Sequence, residues 1–537
     1  MKCTQFTLAY SFGFLAILLF ASALRAGERP NIVFAFADDW GRYASAYAKL
    51  EPGGPSDIVS TPNFDQIANE GVLFTQAYVN APSCTPCRSS LLSGQYFWRT
   101  GRGAILQGAI WDDAIPSYPL VLEKSGYQIG HTYKVWSPGT PANQPHGGKR
   151  ASYASGGSRF NRFSQAVDAS RNKQRAKEAL LNEVRTNFTS FLDDCPDGKP
   201  FCYWFGPTNC HRKWTRGSGK EHWGLEPNDL QGKLPKYLPD VEMVREDFCD
   251  YLGEVQAFDA GLGVLLSVLE ENKLSDNTIV VVSGDHGIPG IPRGKCNLYD
   301  LGTRVPLAIR WPGVCGEGLV VDDFVSLPDL APTLVEAGGA SIPDVMTGKS
   351  LVPVLRSQKS GQVDPERTFV LTGRERHVAK ARAGELPYPQ RSIRTQKYLY
   401  IRNFEPSRYA MGDAPGFGAP DGPLPSYDKL EQNTFVAFGD LDASPTKAWM
   451  LTNRQKPGVE EMVQLTLGLR PEEELYDVER DPDHMNNLAG DKNYEAVRKE
   501  LADKMFNLLR ESGDPRVTQE IPHYESAPYA GDSSTGK

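Results

Sequence analysis

The chain has 537 residues, 40% hydrophobic and 23% charged, a composition and length that suit one large globular domain with a smaller one beside it. Its formal net charge of −8 excludes a general nucleic-acid binder, which needs a basic stripe. It does not exclude an anionic substrate, because a buried cationic pocket acts locally.

Residues 1–26 read as an export signal. Lys2 supplies the positive end, 12–23 (FGFLAILLFASA) the apolar run, and small residues around Ala23 and Ala26 the cleavage point. The run is short for a bilayer span, and no later stretch reads as long and apolar enough to cross one. The expectation is an exported chain, periplasmic or secreted (secretory or lysosomal in a eukaryote), with no membrane attachment after cleavage. Of nine cysteines, Cys3 leaves with the signal. Some of the remaining eight are expected to pair in an oxidising compartment, with Cys195, Cys202, Cys210 and Cys249 clustered in mid-chain.

From 29 to 340, short β-branched runs alternate with helical stretches. Residues 31–37 (NIVFAFA) form a continuous apolar run, as a strand buried on both faces requires, and 279–283 (IVVVS) form another. Helical spacing marks 62–71, 251–269 and 327–338, whereas 137–176, rich in Gly, Ser and Pro, read as an irregular excursion. The fold class predicted is α/β, a large mostly parallel sheet between helices, with ligands beyond the carboxyl ends of its strands. After 368 the texture changes to extended segments such as 391–402 and one helix at 494–511, which predicts a smaller α+β unit. The domain expectation is 27–367 catalytic, 368–520 C-terminal, and 521–537 a frayed tail.

Asp38 and Asp39 follow the first apolar run, and Asp285 and His286 follow the second, between Gly284 and Gly287. Adjacent carboxylates at one strand end could be a helix cap and first-turn acid. Two such pairs, delivered by parallel strands to one rim, favour a hard divalent cation. Cys84-Thr85-Pro86-Cys87-Arg88 is a C-x-x-C, which by spacing alone also fits a redox pair or a structural disulfide.

In its context, CTPCRSSLLSG, this segment resembles the C-x-P-x-R signature of the type I sulfatases. The resemblance continues in RPNIVFAFADDWG, GYQIGHTYKVW, GDHG, GKCNLYDLGTRVPLAIRWPG and ELYDVERDPDHMNNLA. It implies an alkaline phosphatase-like fold and conversion of Cys84 to formylglycine by a modifying enzyme that reads Pro86 and Arg88. It further implies one Ca2+ held by Asp38, Asp39, Cys84, Asp285 and His286. Lys134 and Lys295 would hold the sulfo group, and His211, in GPTNCHRKW, would be the acid. Three positions depart from the family pattern, one of them His286, where many members have Asn. Cys87 stands where Ser or Ala is usual, and a Cys84–Cys87 disulfide would block conversion; Trp136 stands where a His is usual.

The mechanism implied is attack on sulfur by a hydroxyl of hydrated formylglycine, with Arg88 positioning that group and His211 protonating the departing oxygen or nitrogen. Gly287-Ile288-Pro289, 297–299 (NLY) and 388–394 (YPQRSIR) are similar to the heparan N-sulfatase branch, so the lead substrate is an N-sulfo or O-sulfo glucosamine-containing glycan. Arg374, His377, Arg391 and Arg394 are candidates for reading that glycan, with solvated basic loops as the alternative. Rival readings are an O-sulfatase for another polysaccharide, a phosphomonoester or phosphonate hydrolase of the same superfamily, and a non-catalytic glycan-binding or C-x-x-C redox protein.

Overall fold

The computed structural model describes residues 29–419 and 422–531, so the segment expected to direct export, with Cys3, lies outside the described residues. Seven strands form one sheet: β1 (Asn31–Ala37), β2 (Val72–Tyr78), β3 (Gln128–Tyr133), β4 (Phe201–Gly206), β5 (Thr278–Gly284), β6 (Leu307–Arg310) and β7 (Leu319–Ser326), in the order β3-β4-β1-β5-β6-β2-β7. All neighbours are parallel except β6, which runs antiparallel to β5 and β2. Side chains alternate across β1: Val33, Ala35 and Ala37 enter one apolar core, and Ile32, Phe34 and Phe36 enter the other. That double burial is why the run carries no polar residue in its interior.

Helices α1 (Pro62–Asn69), α3 (Lys173–Asp193) and α4 (Glu242–Glu271) supply the first core. Helices α2 (Cys84–Ser93) and α5 (Leu330–Ala337) supply the second. Helix α4 corrects one expectation. Its length and a mean hydropathy of 1.4 would allow a membrane span, but 78% of that window is buried inside the protein. It is the central helix of the first core.

A second sheet is antiparallel, β8 (Phe369–Arg374), β9 (Gln390–Thr395), β10 (Tyr398–Asn403) and β11 (Glu473–Asp477), in the order β11-β10-β9-β8. Leu371, Ile393 and Leu475 pack under α8 (Glu495–Glu511), through Leu501, Met505 and Leu509. Between β10 and β11 the chain leaves this sheet. Residues from Met411 through α6 (Pro445–Thr452) and α7 (Val459–Leu467) bury Phe438, Leu441, Leu451 and Val463 in the first core of the large sheet. A boundary at 368 therefore separates the sheets but not the cores. The expected frayed tail is also corrected as far as 531: residues 523–525 form a 3-10 turn, and Tyr524 is buried beside Trp98 and Leu509.

No disulfide forms among the described residues; all eight cysteines are free. The mid-chain cluster is separated by the fold. Cys202 points from β4 into the core of α2, while Cys210 and Cys249 lie in the core of α4, with the sheet between them.

Candidate active site

The carboxyl ends of β3, β4, β1 and β5 lie side by side, and each delivers functional groups to one rim: Lys134, His211, the Asp38–Asp39 pair and the Asp285–His286 pair. The register aligns Ala37 with Gly284, so the two acidic pairs start level. Strand alternation would send Asp38 and Asp39 to opposite faces. Asp39 instead adopts φ 61°, a left-handed conformation costly for a residue with a Cβ. It is held there by its N–H donating to Asp285 Oδ1 (2.7 Å) and by Tyr251, whose hydroxyl donates to its carbonyl (3.1 Å). Both carboxylates thereby enter one site. Gly284 and Gly287 bracket the second pair because a Cβ would lie 2.1 Å from Trp40 O at the first and 1.7 Å from Leu301 O at the second.

Cys84 is the first residue of α2, with Pro86 in the first turn, where a missing N–H costs nothing. Gly94, at φ 64°, ends the helix. Cys84 Sγ lies 3.4 Å from His286 Nε2 and 3.8 Å from Asp39 Oδ1. Burial first, and Asp38 after it, push the Cys84 thiol well up; burial and Asp285 do the same at Cys87. Redox pairs need a thiolate, so these two thiols are poor redox partners.

Arg88, one turn along α2, is fully buried. Its Nε donates to Asp285 Oδ2 (2.9 Å), its Nη2 to Asp38 Oδ1 (2.9 Å), and its Nη1 to the carbonyls of Lys134 (3.2 Å) and Val135 (3.0 Å). Lys134 Nζ grips both Asp38 oxygens, at 2.6 and 2.8 Å. Against the cost of burial, Lys134 and Arg88 hold Asp38 well below the usual carboxylate range. Asp285 has only one of those cations in contact, and burial raises it. Lys295 Nζ donates to Asp39 Oδ2 (3.0 Å) and lies 3.5 Å from Asp442 Oδ2. Burial opposes its charge, but Asp39 and Asp442 prevail and raise it well above the ordinary lysine range.

His286 tests whether a metal fits. Its Nδ1 contacts the Gly287 carbonyl (3.1 Å), which can only accept, so Nδ1 carries the proton. In the neutral ring, the form that can ligate a metal, the Nε2 lone pair faces Asp39 Oδ1 at 3.2 Å and Asp285 Oδ1 at 3.5 Å. Three electron-rich atoms then converge with no hydrogen bond between them, an arrangement that either a bound cation or a proton on Nε2 makes favourable. Ligand–ligand separations near 3.4 Å are those of oxygens placed about 2.4 Å from one ion. Ligand atoms of Asp39, Cys84, Asp285 and His286 all lie within 4.8 Å of one another. Asp38 is the exception within the expected ligand set: its oxygens are held by Arg88 and Lys134, and it groups with Asp39 and His211.

His211 is 36% exposed, with Nε2 3.9 Å from Asp39 Oδ2 and Nδ1 on the Arg212 carbonyl (2.6 Å). It lines a cavity of about 720 Å³ together with Arg159, Arg162, Arg212 and Lys213. Trp136 does not reach this space. Its Nε1 donates to Ser89 Oγ (2.8 Å) on α2, and it is fully buried beside Trp111.

The four expected glycan-reading residues divide. His377 lies at the site: its Nδ1 bonds Ser83 Oγ (2.8 Å), next to Cys84, and burial pushes it down to about 3. The three arginines are consumed inside the protein, which corrects that expectation. Arg374 Nη2 donates to Asp440 (2.5 Å) and its Nη1 to the Cys296 carbonyl (2.6 Å). Arg391 binds Asp514 and Glu375, and Arg394 binds both oxygens of Asp300. Asp442 is the group missed by sequence reasoning. It sits in an irregular loop with no strand before it, so nothing local marks it.

A buried carboxylate–histidine centre, a helix N-terminus and three cations on one rim define a hydrolase for an anionic ester or amide. The chain belongs to the sulfatase family, enzymes that hydrolyse sulfate esters and N-sulfates: residues 30–340 match the family described as Sulfatase. Residues 293–413 also match the family described as N-sulphoglucosamine sulphohydrolase, C-terminal. Human N-sulphoglucosamine sulphohydrolase is 26% identical over 542 residues, covering 94% of each chain. An ulvan-active sulfatase of Formosa agariphila is 24% identical over 517 residues, covering 92% of this chain and 77% of that one. Among solved structures, a protein in complex with its substrate D-glucosamine-2-N,6-O-disulfate aligns with TM-score 0.61 at 19% identity, covering 92% of this chain and 100% of that one. The phosphonate monoester hydrolase of Agrobacterium radiobacter aligns with TM-score 0.58 at 19% identity, covering 90% and 96%. Both share the fold.

Proposed function

We propose that this sulfatase is an exported, calcium-dependent enzyme that removes sulfo groups from a sulfated glycan, with N-sulfoglucosamine units as its lead substrate. The observation that carries the reading is the convergence of Cys84, at the head of α2, on the Asp39–Asp285–His286 cluster, with Lys134 and Lys295 on either side. Converted to formylglycine, residue 84 would supply a hydrated aldehyde. One hydroxyl would attack sulfur as the S–O or S–N bond to the glycan breaks, and loss of the second hydroxyl's proton would then expel sulfate and restore the aldehyde. Asp39, Asp285, His286 and residue 84 would hold a calcium ion, whose charge would favour the deprotonated hydroxyl. Cys84 is buried, so the modifying enzyme must act before the chain closes over it.

The chain's own groups do the rest. Lys134 and Lys295 are placed to hold the charge that grows on the sulfo oxygens, where little water screens them. Arg88 holds Asp38 and Asp285 in register. His211 Nε2, its ring fixed through Nδ1, donates a proton to the departing oxygen or nitrogen. The basic cavity beside His211 suits an anionic glycan rather than a small neutral ester.

The N-sulfo reading draws on the match over 293–413 and on the human relative. The Formosa agariphila relative favours a second reading, an O-sulfatase for another polysaccharide. Sulfate release from N-sulfoglucosamine, glucosamine 6-O-sulfate and ulvan oligosaccharides separates these two. Paired aryl sulfate and aryl phosphate test the sulfatase mechanism, with strong sulfate preference expected. A preference for phosphate, or no release from any sulfated substrate, would overturn the proposal.

A further inference from the structure

Asp442 is an unusual group for a site built to hold a sulfo anion. Its Oδ2 is buried and accepts no hydrogen bond among the described residues, and its nearest partner is Lys295 Nζ at 3.5 Å. The side chain is 18% exposed, so it is not sealed in a core. Burial opposes its charge, but Lys295, His211 and His377 outweigh that and keep it ionised. An ionised carboxylate only accepts hydrogen bonds; it repels sulfo oxygens and requires N–H or O–H donors.

Lys295 marks the division. On one side it holds Asp39 in the carboxylate–histidine centre; on the other it faces Asp442. The sulfo group belongs on the first side. A neighbouring polar group of the substrate, bearing hydrogen rather than charge, belongs on the second.

The loop that presents Asp442 is fixed. Asp440, two residues before, accepts from Arg374, Arg382 and the Val378 N–H. Lys447 is buried and donates to the carbonyls of Leu441 (2.7 Å), Phe438 (3.3 Å) and Thr434 (3.4 Å). Ser444 Oγ donates to the Gly290 carbonyl (2.7 Å), tying the loop to the segment that follows His286. Preorganisation of this kind is what a recognition group needs and a solvated surface acid lacks.

We propose that Asp442 is the specificity-determining acceptor for the sugar ring, binding a hydroxyl or N–H of the residue that carries the sulfo group. This rests on the sulfated-glycan reading. It assigns recognition of the ring to the segment between β10 and β11, which packs on the large core rather than on the small sheet.

The test compares Asp442→Asn and Asp442→Ala with the wild type on N-sulfoglucosamine, glucosamine 6-O-sulfate and an aryl sulfate that has no ring hydroxyl or amine. The ratio of kcat/KM for the preferred sugar sulfate to that for the aryl sulfate should fall about 10- to 150-fold, the effect of losing a hydrogen bond to a charged group. Aryl sulfate turnover also reports that the variants are folded. If both substrates lose rate equally, Asp442 only holds Lys295, and this proposal fails while the glycan reading stands. If the wild type cleaves the aryl sulfate but no sugar sulfate, the glycan reading falls and takes this assignment with it.

Discussion

Replacing Arg88 with methionine removes a buried cation while keeping an apolar side chain of comparable length. The guanidinium makes two charge-assisted bonds, to Asp285 and Asp38, and two bonds to the carbonyls of Lys134 and Val135. Asp38 retains Lys134 at 2.6 Å, but Asp285 loses its salt-bridged guanidinium. Removing one partner of a buried pair costs about 3–5 kcal/mol, chiefly through the charge left behind. The expected loss is therefore about 3–5 kcal/mol, and adding Asp285→Asn should recover at least about 1 kcal/mol of it. The measurement is urea unfolding followed by tryptophan fluorescence. A Cys84→Ser background removes any effect on maturation, and a chelator prevents a bound cation from replacing the lost charge. A loss below about 1 kcal/mol for Arg88→Met, or a double variant no more stable than the single one, would refute the reasoning.

Three further outcomes are expected. Chelation should abolish sulfate release and lower the thermal midpoint of the matured enzyme, and calcium should restore both; activity that survives exhaustive chelation contradicts the cation site. Trp136→His, which installs the residue usual in the family, should cost about 2–4 kcal/mol by opening a void beneath α2 and losing the bond to Ser89, without raising activity; a stable, faster variant would show that Trp136 had been misplaced. Burial raises Glu254 to about 7, so between its unfolded value near 4.3 and about 7 the folded chain binds more protons than the unfolded one. Its contribution is fully present below that window and is lost as pH rises through it. Glu254→Gln should flatten this part of the stability profile by up to about 4 kcal/mol, read as urea midpoints across the range; parallel profiles would contradict the assignment.

The rim of the site was legible because its signals are local. A strand buried on both faces must be continuously apolar, so the acids that follow 31–37 and 279–283 stand out as strand ends. Parallel pairing then obliges those ends to meet. The arginines were not legible for the opposite reason. Arg391 is neutralised by Asp514, far along the chain, and no sequence pattern announces such a partner, so a basic segment looks free when it is not. The cysteines failed similarly, since proximity in sequence says nothing about which face of the sheet a side chain enters. Asp442 combines both difficulties: an irregular loop, delivered by a segment whose apolar residues join a core more than a hundred residues earlier in the chain.

The chemical state of residue 84 tests the formylglycine mechanism most directly. Mass spectrometry of the peptide spanning 84–88, from natively matured protein that releases sulfate, should find the thiol-bearing carbon replaced by an aldehyde that a hydrazide probe captures, with Cys87 still alkylatable. An unmodified Cys84 thiol, or a Cys84–Cys87 disulfide, in a preparation of full activity would contradict it.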